Sequence, residues 1–338
     1  MAQILGISLI SLVLTLILII PFIDFLYKIK LRRQKQNTVD IFNKPTPLFD
    51  KFNSWKVGTP FGGGLLIICI CSALFLWSFG MLKINVNFWE LFVILFTFIS
   101  FGLLGLYDDI KKLINGNTGK VPFFGLRFRY KLLLQLGLAL VPATILYTKL
   151  GYSFLFVRGI GLTDIGFLYI PFAAFVIVAF VNAFNIADGL DGLASGLMLI
   201  CLVSFLAISY SNVDQGLEVF IAILLGSVAA FLYFNIYKAR IWLGDVGSMS
   251  LGASLAIIGL LTGKTITIAI IGGVFVLEVA SSLIQILGKK FLKRKIFPVA
   301  PLHLYFQKRG WEEPKIVMRA WLLGVFFAIL GLYLAFIK

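Results

Sequence analysis

Long apolar runs dominate the chain, and their lengths predict helices that cross a membrane. Roughly 18 to 24 consecutive apolar residues are needed to span the hydrocarbon core of a bilayer. The first run is too long for a signal peptide and has no small-residue cleavage site after it, so we predict that it is a helix as well. The predicted spans are residues 4–27, 62–81, 88–107, 131–149, 167–185, 193–210, 217–234, 248–262, 265–287 and 316–337.

One connection has a different pattern. Residues 152–170 alternate apolar and polar positions and contain turn-forming glycines, which predicts a small β-hairpin. The other connections are too short for a soluble domain, and the chain has no internal repeat. We therefore expect an all-α integral membrane protein with about ten helices, folded as a single domain over residues 1–338.

Composition agrees with a membrane location and predicts its orientation. The chain is 60% hydrophobic and only 13% charged. Twenty-five of its 30 lysines and arginines lie in residues 28–56, 108–131, 238–240 and 289–319, so these connections are predicted to be cytoplasmic and both termini to lie outside. The net charge of +15 would also suit nucleic acid, but the basic residues adjoin membrane helices, so no nucleic-acid partner is expected. The five basic residues on the opposite side are Lys83, Lys149, Arg158, Lys264 and Lys338.

Five aspartates are predicted at the cytoplasmic ends of these spans. Carboxylates at a membrane boundary are costly and indicate a functional site. Asp188 and Asp191 would share one helix face if the fifth span continued through them. So many carboxylates need nearby cations, either Mg²⁺, which prefers hard oxygen ligands, or lysines. Separate interfacial acids, each paired with a lysine, are the alternative. The other three aspartates are Asp108, Asp109 and Asp245.

The segment from Gly244 to Ser248 opens the eighth span with features of a phosphate site. Its glycines allow close backbone approach, and free N–H groups at a helix start favour an anion. Asp245 would hold a Mg²⁺ there, although aspartate is also a common helix cap. Trp242 suits stacking on a base or a place at the membrane interface. The basic residues that flank the acids suit a diphosphate or a solvated loop; they are Lys56, Lys111, Lys112, Lys120, Arg127, Arg129 and Lys131.

His303 is the only histidine of the chain. It is either structural or, next to a phosphate site, a hydrogen-bond donor or proton carrier. Glu278 lies deep in the ninth span, where a helix–helix contact is favoured over catalysis. Together the residues indicate Mg²⁺-dependent phosphate chemistry at the cytoplasmic face of the membrane.

Six motifs in order resemble the polyprenyl-phosphate N-acetylhexosamine-1-phosphate transferase superfamily, also called glycosyltransferase family 4. Ala300 to His303 and Arg309 to Trp311 resemble the muramoyl-pentapeptide branch rather than enzymes that transfer GlcNAc-1-phosphate. The six motifs are Lys56 to Gly64, Tyr107 to Lys112, Arg129 to Gln135, Asn182 to Ala194, Trp242 to Ser248, and Ala300 to His303 with Lys308 to Trp311.

The resemblance implies a reaction at the plasma membrane of a bacterium. Phospho-MurNAc-pentapeptide would move from UDP-MurNAc-pentapeptide to undecaprenyl phosphate, giving lipid I and UMP, with Mg²⁺ as cofactor. Whether the acceptor attacks directly or through a covalent aspartyl intermediate stays open, as does the oligomeric state, for which homodimers are common in the family. A sister enzyme for teichoic acid, capsule or O-antigen synthesis is the main alternative. A cation-coupled transporter is disfavoured because the acids cluster at one face and no repeated halves are visible.

The resemblance also implies residue roles. Asp245 matches the principal Mg²⁺ ligand, with Asn182 as a second ligand, and Asp108 and Asp109 match the paired aspartates that handle the lipid phosphate. One departure is clear: the family usually has three consecutive histidines, and only His303 is present here, so no mechanism can use the second or third imidazole. Around the nucleotide and diphosphate the matches are Lys56, Lys112, Lys131, Asn185, Asp188, Asp191 and Trp242. Asn235 and Gln285 also match family positions of the substrate site.

Overall fold

The computed structural model describes residues 1–33, 45–82, 87–117, 125–157, 161–212 and 214–337. Six basic residues used above to predict orientation or substrate binding lie outside these ranges: Lys35, Lys44, Lys83, Lys120, Arg158 and Lys338. The helices are α1 Ala2–Lys28, α2 Pro47–Asn53, α3 Gly63–Leu82, α4 Phe88–Asn117, α5 Phe128–Thr148, α6 Tyr169–Ala187, α7 Leu193–Asn212, α8 Gln215–Asn235, α9 Gly244–Leu261, α10 Thr265–Ile271, α11 Gly273–Phe291, α12 Leu302–Lys308 and α13 Glu313–Phe336.

The prediction of about ten spans is confirmed, with one change of shape. Nine helices among the described residues are long and apolar enough to cross a membrane. The predicted ninth span, residues 265–287, is not straight: α10 and α11 meet at an angle of 81°. Gly272 joins them in a non-helical conformation, and a Cβ atom there would lie 2.7 Å from the ring of Phe180 on α6. The glycine therefore permits both the kink and the close packing.

Two predictions about the aspartates are wrong in detail. Asp108 and Asp109 do not end the third span, because α4 continues beyond them to Asn117. Asp188 and Asp191 do not share a helix face, because α6 ends at Ala187 and the chain turns before α7. Gly192, with φ +78°, allows that turn. The two carboxylates consequently lie in different environments.

Helix α9 is the centre of the bundle, and small residues bring its neighbours close to it. All its residues from Val246 to Leu261 are buried. A Cβ atom added to Gly64 of α3 would overlap the backbone of Gly247, and one added to Gly105 of α4 would overlap the carbonyl of Asp245. Such contacts between backbones are typical of packed membrane helices. They place Asp245 beside α4, where Asp108 and Asp109 lie.

The predicted β-hairpin is confirmed. Strands β1 Phe154–Val157 and β2 Gly161–Asp164 pair antiparallel, with Phe154 opposite Asp164. The hydroxyl of Tyr152, just before β1, donates to the carbonyl of Leu261 at 2.6 Å. Leu261 is the last residue of α9, whereas Asp245 lies in its first turn, so the hairpin and the aspartates lie at opposite ends of the bundle.

Candidate active site

Three aspartates and two lysines meet at the start of α9. The ammonium nitrogen of Lys112 lies 2.7 Å from Asp245 Oδ2, 3.2 Å from Asp108 Oδ2 and 3.6 Å from Asp109 Oδ1. The ammonium of Lys131, on α5, lies 2.8 Å from Asp245 Oδ2 and 3.2 Å from Asp108 Oδ2. We call these five residues the aspartate cluster. They come from three helices, α4, α5 and α9.

Backbone and amide donors fix the orientation of each carboxylate in the aspartate cluster. Asp108 Oδ1 accepts a hydrogen bond from the amide of Leu126. Asp109 Oδ2 accepts from the amide of Val246 at 3.1 Å, so a protein carboxylate occupies part of the anion position that the sequence predicts at the start of α9. Asp245 Oδ1 accepts from the amide of Asn185 at 3.1 Å, and the same Asn185 Nδ2 donates to Ser248 Oγ at 2.7 Å.

The chemistry of these ligands suits a hard divalent cation. Lys112 contacts all three carboxylates, so their oxygens surround one cation position, and carboxylate oxygens are the ligands that Mg²⁺ prefers. Within the described part of the chain, no group of three or more His, Cys, Asp or Glu side chains has the arrangement of a preformed metal site. The ammonium groups thus neutralise the carboxylates that a metal would need, and a bound Mg²⁺ would require Lys112 to move away.

Asn182, the expected second metal ligand, lies one helical turn before Asn185. Its side-chain amide donates to Gln135 Oε1 at 2.7 Å and to the carbonyl of Val178 at 2.8 Å. The asparagine that touches Asp245 is Asn185, which the sequence resemblance placed near the nucleotide. Metal ligation by Asn182 stays a prediction.

Lys56 forms a second ion cluster, which is closed to solvent. Its ammonium lies 2.7 Å from Glu313 Oε1, 3.2 Å from Asp191 Oδ1 and 3.3 Å from the carbonyl of Gly189. Glu313 Oε1 also accepts from the amide of Asp191 at 2.6 Å, and Asp191 Oδ2 accepts from the amide of Ala239 at 2.9 Å. This arrangement joins α13 to the turn after α6 and to the segment before α3. Glu313 was missed from the sequence, where an acid at a helix start looks like an ordinary capping position.

Trp242 lies between the two ion clusters. The ammonium of Lys56 lies 4.6 Å from its ring centroid and the guanidinium carbon of Arg33 lies 4.8 Å away, both within cation–π range. Burial lowers the pKa of Arg33 to about 10, partly offset by Asp191. Trp242 borders both cavities described below, which favours a ligand contact over a place at the lipid interface.

Asp188 stands out among the acids of this region. Burial raises its pKa well above the ordinary value, and the negative charge of Asp245 adds to this effect more than the positive charge of Lys56 opposes it. Among the residues that the structure describes, none donates a hydrogen bond to its side chain or pairs with it. Asp188 borders both cavities.

Asn235 and Gln285 hold loops of the site in place. Asn235 accepts from the amide of Gly192 at 3.2 Å and from Ser195 Oγ at 2.8 Å, and donates to the carbonyl of Ile241 at 3.0 Å. Gln285 makes three hydrogen bonds to the backbone of Ile296 and Phe297, between 2.8 and 3.1 Å. These contacts assign both residues a positioning role, and direct contact with a substrate stays a prediction.

His303 is held by Glu278, in agreement with the helix–helix contact expected for that glutamate. His303 Nδ1 lies 3.0 Å from Glu278 Oε2, and both residues are buried. A Cβ atom at Gly189 would lie 2.7 Å from His303 Nε2, so the other nitrogen faces the Gly189 backbone. The ring is therefore fixed at the wall of the larger cavity.

Two adjoining cavities open beside these clusters. The smaller one, of about 290 Å³, contains Asp109, Lys112 and Asp245 in its wall. The larger one, of about 1040 Å³, extends past His303 to the segment after α11. The two cavities share a wall of five residues that border both: Arg33, Phe49, Asn185, Asp188 and Trp242.

The chain is similar to proteins of one enzyme family over most of its length. The family described as glycosyl transferase family 4 matches residues 91–263, which include all three aspartates of the cluster. A phospho-N-acetylmuramoyl-pentapeptide-transferase of Borrelia turicatae is 37% identical over 89% of this chain and 88% of the relative. The protein of that name from Rickettsia canadensis is 39% identical over 82% of this chain and 80% of the relative.

Proposed function

The chain belongs to glycosyl transferase family 4 and is a multi-pass membrane phospho-sugar transferase, from which we propose that it transfers phospho-MurNAc-pentapeptide from UDP-MurNAc-pentapeptide to undecaprenyl phosphate. The products are lipid I and UMP, and the reaction takes place at the cytoplasmic face of the bacterial plasma membrane. The observation that carries the proposal is the aspartate cluster at the wall of a cavity that also contains Trp242.

The reaction is a phosphoryl transfer between two anions. An oxygen of the lipid phosphate bonds to the phosphorus attached to the sugar, and the bond from that phosphorus to the bridging oxygen breaks, so UMP leaves with the electron pair. Positioning and charge neutralisation dominate such a reaction. We assign Lys112 and Lys131 to holding the negative oxygens of the diphosphate and of the acceptor, because both ammonium groups lie at Asp245. Asp188 and Trp242 contact the nucleotide from the shared wall of the cavities.

Mg²⁺ is the proposed cofactor, held by Asp245 together with Asp108 or Asp109. When bound, it would offset the charge of the diphosphate and of the leaving UMP. The family is consistent with dependence on a divalent metal, and the hard carboxylate oxygens of the cluster support this choice.

A direct attack is favoured over a covalent aspartyl intermediate. Both oxygens of Asp108 have partners, the amide of Leu126 and the two lysines. Both oxygens of Asp109 do as well, since one accepts from Val246 and the other faces Lys112. In this arrangement neither carboxylate has an oxygen without such a partner, so we assign one of the two to the metal, with Asp245, and the other to orienting the acceptor phosphate and taking any remaining proton.

Asp245→Asn tests the proposal. The change leaves two carboxylates and two ammonium groups in the cluster, so the protein should still fold. Loss of the metal ligand should lower kcat for UMP release, with Mg²⁺ and both substrates, by about 100- to 1000-fold. Asp24→Asn, at an exposed position of α1, is the matched control and should retain full activity. Turnover of Asp245→Asn at the wild-type rate would refute the assignment of the site.

The choice of donor is tested with the wild-type enzyme. UDP-MurNAc-pentapeptide should be consumed and UDP-GlcNAc should not. Efficient turnover of UDP-GlcNAc alone would instead identify the sister activity, a transferase for GlcNAc-1-phosphate.

A further inference from the structure

The larger cavity has one strongly basic wall. Lys289, Lys293, Arg294 and Lys295 border it at the end of α11 and in the segment that follows, and we call these four residues the basic wall. With Arg33, the described residues around this cavity include five cationic side chains and one carboxylate, that of Asp188. The side chains around the cavity therefore carry a net positive charge, and the cavity attracts anions.

The basic wall is preformed. Gln285, one turn before it, receives the amides of Ile296 and Phe297 and donates to the carbonyl of Phe297. Gly288 packs against Ile296 so closely that a Cβ atom would lie 2.6 Å from Ile296 Cγ1. The segment is thus tied back onto α11 at its far end. A ligand that binds there does not need to order it, which lowers the entropic cost of binding.

Basic residues are common in cytoplasmic loops of membrane proteins, which would explain why this segment is basic. It would not explain why four of these side chains border a cavity. Lys290 and Lys308 carry the same topological signal without bordering the cavity. The cavity of about 1040 Å³ is at the upper limit for the site of one small ligand, and the adjoining smaller cavity already has Asp109, Lys112 and Asp245 of the aspartate cluster in its wall. The larger space therefore suits a further, sizeable and anionic part of the same substrate.

Resting on the proposed function, we propose that the basic wall binds the carboxylates of an acidic peptide carried by the sugar of the donor. The diphosphate would lie at the aspartate cluster, the base beside Trp242, and the peptide in the larger cavity. The peptide ends in a carboxylate, which makes charge-assisted hydrogen bonds to lysine and arginine. The wall thereby selects a peptide-bearing donor over a donor with a sugar alone.

The double variant Arg294→Gln/Lys295→Gln tests this proposal. It removes two of the four charges and leaves Lys289 and Lys293 in place. The KM for UDP-MurNAc-pentapeptide should rise roughly 3- to 30-fold with little change in kcat, as expected for two solvent-accessible ion pairs. The KM for UDP-MurNAc without a peptide should not change. Lys290→Gln, a charge loss next to the basic wall but outside the cavity, is the control.

A pentapeptide donor with amidated carboxylates should show equal KM values for the wild type and the double variant. Equal KM values of the two proteins for the unmodified donor would overturn the inference while leaving the proposed function intact. An equal rise in KM for the donor without a peptide would also overturn it, because it would place the diphosphate at this wall.

A change in KM that follows the anionic lipid content of the vesicles, and not the donor, would assign the wall to the membrane surface. Absence of UMP release from wild-type enzyme with any peptide donor would instead refute the proposed function.

Discussion

Lys56→Met is expected to destabilise the protein strongly, because it leaves two buried carboxylates without their shared cation. The side chains of Lys56, Asp191 and Glu313 are 1%, 0% and 5% exposed. Removing one partner of such a buried pair costs about 3–5 kcal/mol, since the remaining charge is desolvated and uncompensated. Glu313→Gln should cost less, about 1–2 kcal/mol, because Lys56 keeps Asp191 and the glutamine oxygen still accepts from the Asp191 amide.

The double variant Lys56→Met/Glu313→Gln separates the loss of stability that comes from charge from the loss that comes from packing. It has the same net charge in the cluster as the wild type, so its destabilisation should be smaller than the sum of the two single changes by about 1–3 kcal/mol. Thermal unfolding of the purified proteins in mild detergent, followed by tryptophan fluorescence, measures the ranking. Lys51→Met, at an exposed position of α2, is the control. Additive losses in the double variant would show that the network is not coupled as described.

Two further changes probe the fold around the aspartate cluster. Asp188→Asn should raise the unfolding temperature of the substrate-free enzyme at pH 8 and lower its turnover. Because the pKa of Asp188 is raised in the folded protein, its charged form lowers stability at pH values above the ordinary pKa of 3.8, and the gain from the substitution should shrink as the pH falls toward 3.8. An equal gain at pH 8 and near pH 3.8 would contradict this reasoning. Gly105→Ala should cost about 1–3 kcal/mol and most of the activity, because its Cβ would overlap the Asp245 carbonyl, whereas Gly137→Ala, with open space around it, should fold and function normally.

The spans could be predicted from hydropathy because each consists mainly of apolar side chains, whether these face lipid or, as in α9, pack against other helices. Their ends and bends could not. Helix α4 continues past Asp108 to Asn117 with polar side chains. Hydropathy detects where apolar side chains end and not where the helix ends, so it placed the end of the span too early. The break between α10 and α11 lies at Gly272 inside one continuous apolar run, so hydropathy does not change there. The adjacent glycines were the available signal, but glycine is also frequent in straight membrane helices.

The candidate site could be predicted in part. The charge bias placed Asp108, Asp109 and Asp245 on one face, and the structure brings them to one point. Charge and position alone did not distinguish among the seven flanking basic residues, because that choice depends on how α4, α5 and α9 pack. The family resemblance did single out Lys112 and Lys131, which the structure pairs with the aspartates. The sequence did not reveal the contact of Glu313 with Lys56, which joins positions 257 residues apart.

The exposure of the two ion clusters supports the proposal that the aspartate cluster is the reacting centre. In the aspartate cluster the side chains of Lys112, Lys131 and Asp245 are 24%, 15% and 15% exposed, whereas Lys56 and its partners are almost completely enclosed. A buried ammonium cannot leave its carboxylates without a large desolvation cost, so the Lys56 cluster acts as part of the scaffold. A partly solvated ammonium can exchange its carboxylate for a phosphate or make room for a metal ion at low cost. The lysines of the aspartate cluster can therefore exchange partners as the proposed phosphate binding requires, and the enclosed Lys56 cluster supplies a wall that contacts Trp242.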